Sequence, residues 1–368
     1  LAKIWEKALR VDSIGVRDDF FELGGHSLVA GRLFATIQKS FGKNLTPTIL
    51  LQAPTIEQLA ALLRAGELTS RWTSLVPIQA GGSRPPLFCM HAGGGTVLFY
   101  YDLARELGPD QPVYGLQAQG LYGGLPPHAE VEEMAAHYVR EIRSVEPRGP
   151  YLLTGFCFGG VLAFAVARQL RREGAEVALL SSFDGGSPKF DYAVREDSET
   201  NGGTADPGKM RTWVTYHSAR LRRMDARERI SYLAKKAKNR FRIWRNQFRA
   251  LVSLWIGDVF RAAGRPLPES LRQTYFRTNS IRACKKYASS PYPGRMVLFE
   301  CQGLFRDSHL GWDGWIGGGL EIHEIPVADP STDRYPALFI GAVAEPFGEV
   351  LSALSAGSTD SALSTASS

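Results

Sequence analysis

Metal-binding and disulfide motifs are missing from this sequence. Its 368 residues hold four cysteines, Cys89, Cys157, Cys284 and Cys301, with no C-x-x-C pair among them. That excludes a zinc ribbon or a disulfide framework and suits reduced thiols. Long apolar runs are scarce, and the best, Leu251 to Ile256, is far too short to cross a bilayer, so no stable membrane insertion is expected. No basic-then-apolar signal segment opens the chain, and the expected location is cytoplasmic. Nor does an aromatic-and-basic RNA signature accompany the net charge of +6, whose excess sits mainly between Lys209 and Arg249. Nucleic acid is therefore not an expected partner. Leu1 already stands inside an apolar helical pattern, so the sequence reads as part of a longer polypeptide.

What is present is enough chain for two domains, with 44% hydrophobic and 22% charged residues in globular proportion. The most informative stretch is Tyr151 to Gly160, YLLTGFCFGG. An apolar run stops at Gly155 and a small-residue helical pattern starts at Gly159, which reads as strand, sharp turn, helix. An apex side chain is forced out at the end of the sheet, and a Cβ at either glycine would collide with the tight backbone. The apex residue is Cys157, in the G-x-S-x-G pattern of the α/β-hydrolase nucleophile elbow with sulfur in place of oxygen. A cysteine that merely packs would leave the flanking glycines unexplained, so Cys157 is expected to be a nucleophile.

Upstream, residues 1–64 read as a small all-α four-helix bundle. Ile4, Trp5 and Leu9 give a first helical face; Leu28, Leu33, Ile37 and Phe41 give a second that ends at Gly42, with Ser27 expected at its N-cap. Thr55 and Gln58 make a capping box for a last helix, Ile56 to Leu63. A serine hydroxyl at a helix start lies beside backbone N–H groups and the positive end of the dipole, where a phosphate diester is stabilised. The motif GGHSL, following DDFFEL, resembles the attachment site of peptidyl carrier proteins from nonribosomal peptide synthetases. The resemblance implies that Ser27 carries a covalent 4′-phosphopantetheine, added by a phosphopantetheinyl transferase, whose thiol holds a peptidyl or acyl thioester.

Residues 65–86, rich in glycine and proline, read as a linker. A flexible coil of about twenty residues spans roughly 25 Å and keeps a tethered substrate at an effective concentration on the order of millimolar. From 87 to 354, apolar runs at Leu87 to Met90, Val113 to Leu116, Tyr151 to Leu153 and Val177 to Leu180 alternate with helical patterns. That predicts a parallel sheet with helices on both faces and a site at the strands' carboxyl ends. The first run leads into His91-Ala92-Gly93-Gly94-Gly95. Backbone N–H groups of Gly93 and of Phe158, after the nucleophile, are the expected oxyanion donors, with His91 orienting the loop. Asp184, past the fourth run, is expected to act as the triad acid rather than as a plain turn aspartate.

The matches FCMHAGGG, GFCFGG, the strand into Asp184, GWDGW and LEIHEIP make Leu87 to about Pro326 resemble the terminal thioesterase domain of nonribosomal peptide synthetases. This implies an α/β-hydrolase fold with a helical lid and upstream adenylation and condensation domains as partners. It also implies that the acyl group passes from the carrier to Cys157, then to water or to an internal nucleophile that closes a ring. The lid is expected over about 188–290, above the acyl pocket. There Trp213, His217, Leu221 and Met224 share a face, and Asp225 with Glu228 caps a helix. On that helix Ile230, Leu233, Ala237, Phe241, Trp244, Phe248 and Leu251 form a stripe opposite Lys235, Lys236, Arg240, Arg242, Arg245 and Arg249. A membrane-surface helix is the rival reading. An enzyme thioester stays more electrophilic than an oxygen ester, so aminolysis or cyclisation is expected beside hydrolysis.

One more absence stands against a complete triad. The resemblance implies a histidine base in the loop after Glu321 to Pro326, yet that loop reads Val327 to Asp333, with Asp329 at or near the place, and no histidine follows His323. Three explanations compete. His323 or His309 serves instead; or the domain is a catalytically impaired, hydrolase-like scaffold that docks the carrier; or the reading frame shifts after Pro326, ahead of a Ser, Ala and Thr tail at 355–368 of disordered composition. The third is preferred.

Overall fold

A computed structural model describes residues 1–43, 45–65, 73–122, 124–190, 226–304, 309–327 and 335–365; the side chains at 27, 28, 226–237, 239, 243 and 356–365 lie outside that description. The short apolar runs become β2 (Leu87–Met90), β3 (Val113–Leu116), β4 (Tyr151–Gly155) and β5 (Val177–Phe183), joined by β6 (Met296–Cys301) and β7 (Leu320–Ile325). Every residue of β2, β4 and β6 is buried, as parallel strands covered on both faces require. The sheet runs β1-β3-β2-β4-β5-β6-β7, parallel except for β1 (Leu75–Gln79), which pairs antiparallel with β3. Strand β1 falls inside the span read as linker: Val76 and Ile78 face the core on alternate positions, a pattern that Pro77 between them obscures.

One face of the sheet is covered by α5 (Val131–Arg143) and α6 (Phe158–Arg172). The other is covered by α4 (Tyr100–Glu106) and α9 (Tyr335–Thr365). Helix α9 corrects three expectations. It runs on into the tail expected to be disordered. Tyr335–Ser355, with mean hydropathy 1.5, is long and apolar enough to cross a membrane by length and composition. Its Tyr335, Phe339, Ile340, Val343, Phe347 and Leu351, however, are buried against the sheet as a core helix. A shifted frame has no reason to supply buried apolar positions at helical spacing, so the frame after Tyr335 is the one that builds this domain.

The N-terminal unit contains α1 (Ala2–Leu9), α2 (Ser27–Phe41), a 3-10 helix at Pro47–Leu51 and α3 (Ile56–Ala65). Its core gathers Trp5, Phe20, Leu33, Ile37, Leu50 and Leu59. The capping box forms as expected, with Gln58 N–H on Thr55 Oγ1 at 3.2 Å and Thr55 N–H on Gln58 Oε1 at 3.3 Å. Gly42 closes α2 at φ 67°, where it donates to Gln38 O.

The lid differs from its expected form. Residues 191–225, with the face at Trp213 to Met224 and the cap at Asp225, lie outside the described residues. Helix α7 (Ala226–Ala262) packs on α8 (Glu269–Lys286) with Leu254 and Phe260, set against Tyr275 and Phe276. Phe241, Trp244, Phe248 and Leu251 of the predicted stripe are instead exposed, together with Trp255 and Val259.

Candidate active site

Cys157 sits between β4 and α6 at φ 54° and ψ −116°, a conformation that costs a non-glycine residue about 1–3 kcal/mol and that its surroundings must hold in place. They do. A Cβ on Gly155 would lie 2.1 Å from the Gly159 carbonyl, and one on Gly159 would lie 2.5 Å from Met90 O. Cys157 N–H donates to Phe183 O at 2.8 Å, which fixes the elbow to the end of β5. Beneath it the buried Tyr100 hydroxyl donates to Met90 O at 2.8 Å and accepts Phe156 N–H at 2.7 Å. The Cys157 side chain is half-buried rather than sealed in the core.

Phe158 opens α6, so its N–H has no carbonyl four residues earlier within the helix. It lines a small cavity of about 10 Å³ together with Gly93, His91, Tyr138, Asn279 and Ser280. The two expected oxyanion residues thus share one cavity, and α8 is the helix that closes it. His91 donates from Nδ1 to Ala92 O at 2.7 Å and accepts the Tyr138 hydroxyl on Nε2 at 2.8 Å, which ties the start of the glycine loop to α5.

Burial pushes His91 down to about 4, with His128 adding to the effect and the Ala92 bond opposing it. His128 is also lowered to about 4, chiefly by burial and by His137, with Glu133 opposing. Both stay neutral in the fold at pH values where the unfolded chain has taken up protons at about 6.5, so stability is full above about 6.5 and falls as the pH drops toward 4. Urea midpoints should be lower at pH 5 than at pH 7; equal midpoints would contradict this assignment.

Asp184 directly follows β5 at φ 49° and is 4% exposed. Cys301 N–H donates to its Oδ1 at 3.2 Å and the Tyr335 hydroxyl to its Oδ2 at 2.7 Å. Burial and the Asp184 carboxylate raise Tyr335 far above the ordinary phenol range, so it remains a proton donor. Sequence reasoning missed Tyr335. Its position, 151 residues from Asp184, carries no local signal.

The structure does not bring His323 to Cys157. His323 lies within β7, three strands from β4 and so roughly 14 Å away across the sheet. Its ring stacks on Phe299 at 4.8 Å, and Nε2 meets Glu321 Oε1 at 2.7 Å. His309 holds Asp313 through Nδ1 at 2.8 Å, on a loop whose Leu310 O accepts Ser187 N–H and whose Trp312 Nε1 donates to Gly185 O. That loop braces the turn after the acid. Asp329 lies outside the described residues. Ser27 is the first residue of α2 and His26, in extended backbone, occupies the N-cap, one place earlier than expected. The helix start still offers Ser27 the unbonded N–H groups and dipole that suit a phosphate diester.

Residues 1–63 match the family described as phosphopantetheine attachment site, and residues 85–250 the family described as thioesterase domain. Malpibaldin synthetase of Mortierella alpina is 40% identical over 205 residues, 55% of this chain and 4% of that protein. The dimodular nonribosomal peptide synthase of Bacillus subtilis is 40% identical over 184 residues, 50% of this chain and 8% of that protein. The chain thus spans less than a tenth of either relative. A solved four-domain nonribosomal peptide synthetase, in holo form with AMP and glycine, is similar over 95% of this chain and 25% of its own, with TM-score 0.51 and 27% identity.

Proposed function

We propose that this chain, in which residues 1–63 match the phosphopantetheine attachment site family and residues 85–250 the thioesterase domain family, is a release unit in which Cys157 takes a peptidyl or acyl group from the carrier attached at Ser27. The observation that carries this reading is the strained Cys157 apex beside a cavity that holds both Gly93 and Phe158. When attached, 4′-phosphopantetheine supplies the thiol on which the cargo arrives. Cys157 Sγ would then bond the carbonyl carbon of the cargo as its thioester C–S bond breaks, the proton of the Cys157 thiol leaving with the departing thiol. Gly93 and Phe158 donate backbone N–H groups to the carbonyl oxygen as charge collects on it. Asp184, fixed by Tyr335 and Cys301 and next to Phe183, whose carbonyl accepts the Cys157 N–H, is the acid of this site.

A thiol suits a site whose usual imidazole is missing, because sulfur is partly ionised near neutral pH and depends less on a base than a hydroxyl does. Sulfur-to-sulfur transfer is nearly thermoneutral, and the enzyme thioester remains open to water, an amine or an internal nucleophile. Upstream adenylation and condensation domains and a phosphopantetheinyl transferase are the partners this reading needs. The test is to phosphopantetheinylate the chain, load it with a synthetic acyl thioester and follow intact and peptide masses with time. Acyl mass should move from the Ser27 peptide to the Cys157 peptide, and the product (free acid, amide or ring) names the acceptor. Cargo that stays on Ser27 indefinitely would favour the docking scaffold instead.

A further inference from the structure

The carrier is not merely tethered to the thioesterase; it also rests against it. Phe21 stacks on Tyr101 with ring centroids 4.0 Å apart and planes within 17°. Leu98, 2% exposed, belongs to the carrier's apolar cluster, and Leu51 of the carrier packs against the thioesterase cluster. Phe21 is itself held edge-on by Phe20, and Phe20 by Trp5 in the carrier core. The loop that presents it is pre-formed: Asp19 Oδ1 accepts Phe21 N–H at 2.7 Å and Glu22 N–H at 3.3 Å. Gly25 N–H closes on Phe20 O at 2.8 Å, so tightly that a Cβ on Gly25 would lie 2.3 Å from that oxygen. Ser27 follows two residues later.

The opposite side of this contact is equally well placed. Leu98 to Tyr101 lies directly after the glycine loop that carries Gly93, and Tyr100 bonds the backbone beneath Cys157. Burial raises the Tyr101 phenol most, with Asp19 and Glu22 of the carrier loop and Asp102 adding to it and Arg105 opposing, so the carrier's acidic loop lies close to this tyrosine. Resting on the release reading above, we propose that Leu98 to Tyr101 is the docking surface for this chain's own carrier, gripped by Phe21, and that it sets where the Ser27 arm enters. The stack supplies an aromatic anchor on rigid backbone at both sides, the kind of contact that dominates small interfaces.

The experiment uses the full chain, phosphopantetheinylated and loaded with a model acyl group, and compares single-turnover acylation of Cys157 from the carrier with acylation from a free acyl-N-acetylcysteamine thioester. Phe21→Ala and Tyr101→Ala should each slow transfer from the carrier about tenfold and leave the free thioester's rate unchanged, while Tyr101→Phe keeps both. An unchanged carrier rate, or an equal fall with both donors, overturns the docking surface. Amide exchange gives a readout independent of chemistry: Phe21→Ala should speed exchange over residues 98–101, and no change there also overturns it. Failure of the wild type to acylate Cys157 from either donor, with exchange responding as expected, would remove the release reading and leave the docking surface standing.

Discussion

Cys157→Ala should slow loss of cargo from a loaded Ser27 by a factor on the order of 10³ or more, the scale seen when a covalent nucleophile is deleted. Cys157→Ser should keep part of the rate, since oxygen can still attack but depends more on the missing base. The other thiols supply the control for chemical labelling. Cys89 is fully buried and its thiol is pushed up by that burial, and Cys284 is pushed up to about 12, chiefly by burial. Half-buried Cys157 should therefore take iodoacetamide first, and its alkylation should stop transfer. Undiminished transfer in Cys157→Ala would end the covalent mechanism.

Gly155→Ala should cost on the order of 4 kcal/mol or leave no folded thioesterase domain. The added carbon would stand 2.1 Å from the carbonyl carbon and oxygen of Gly159, and both are backbone atoms that cannot step aside as a side chain would. Relief requires separating β4 from α6, whose Val161, Leu162, Phe164 and Leu170 are buried in one core face. Gly341→Ala is the matching control, on an exposed position of α9 with nothing within 4 Å of the new carbon. It should stabilise by about 1 kcal/mol through helix propensity alone. Urea midpoints of the two variants should thus move in opposite directions; a folded, wild-type-like Gly155→Ala would mean that the elbow is not held as described.

Features written in local spacing were legible. The two glycines around Cys157, the capping box at Thr55 and Gln58, the Gly42 terminator and the alternation of strands and helices all follow from steric or hydrogen-bonding needs within a few residues. Features that depend on distant partners were not. Tyr335 acquires its role only because β5 and the start of α9 meet in space. His323 looked available because strand alternation does not say that Phe299 on the neighbouring strand will stack on it. The stripe on α7 has a helical period that predicts burial, but periodicity cannot say which surface is left to receive it, and from Phe241 onward it faces outward. The tail from Ser355 is polar enough to suggest disorder, although the helix nucleated on the apolar residues before it continues to Thr365.

Strand β1 also changes the range over which the carrier can work. Because Leu75 is stitched to Leu116 at the sheet edge, only ten peptide steps separate it from Ala65 at the end of α3. Fully extended, ten residues reach at most about 35 Å. The end of the carrier's last helix is therefore held within that radius of one fixed point on the thioesterase, and a catalytic centre beyond the reach of a carrier so tethered can be served only if the whole pair travels to it.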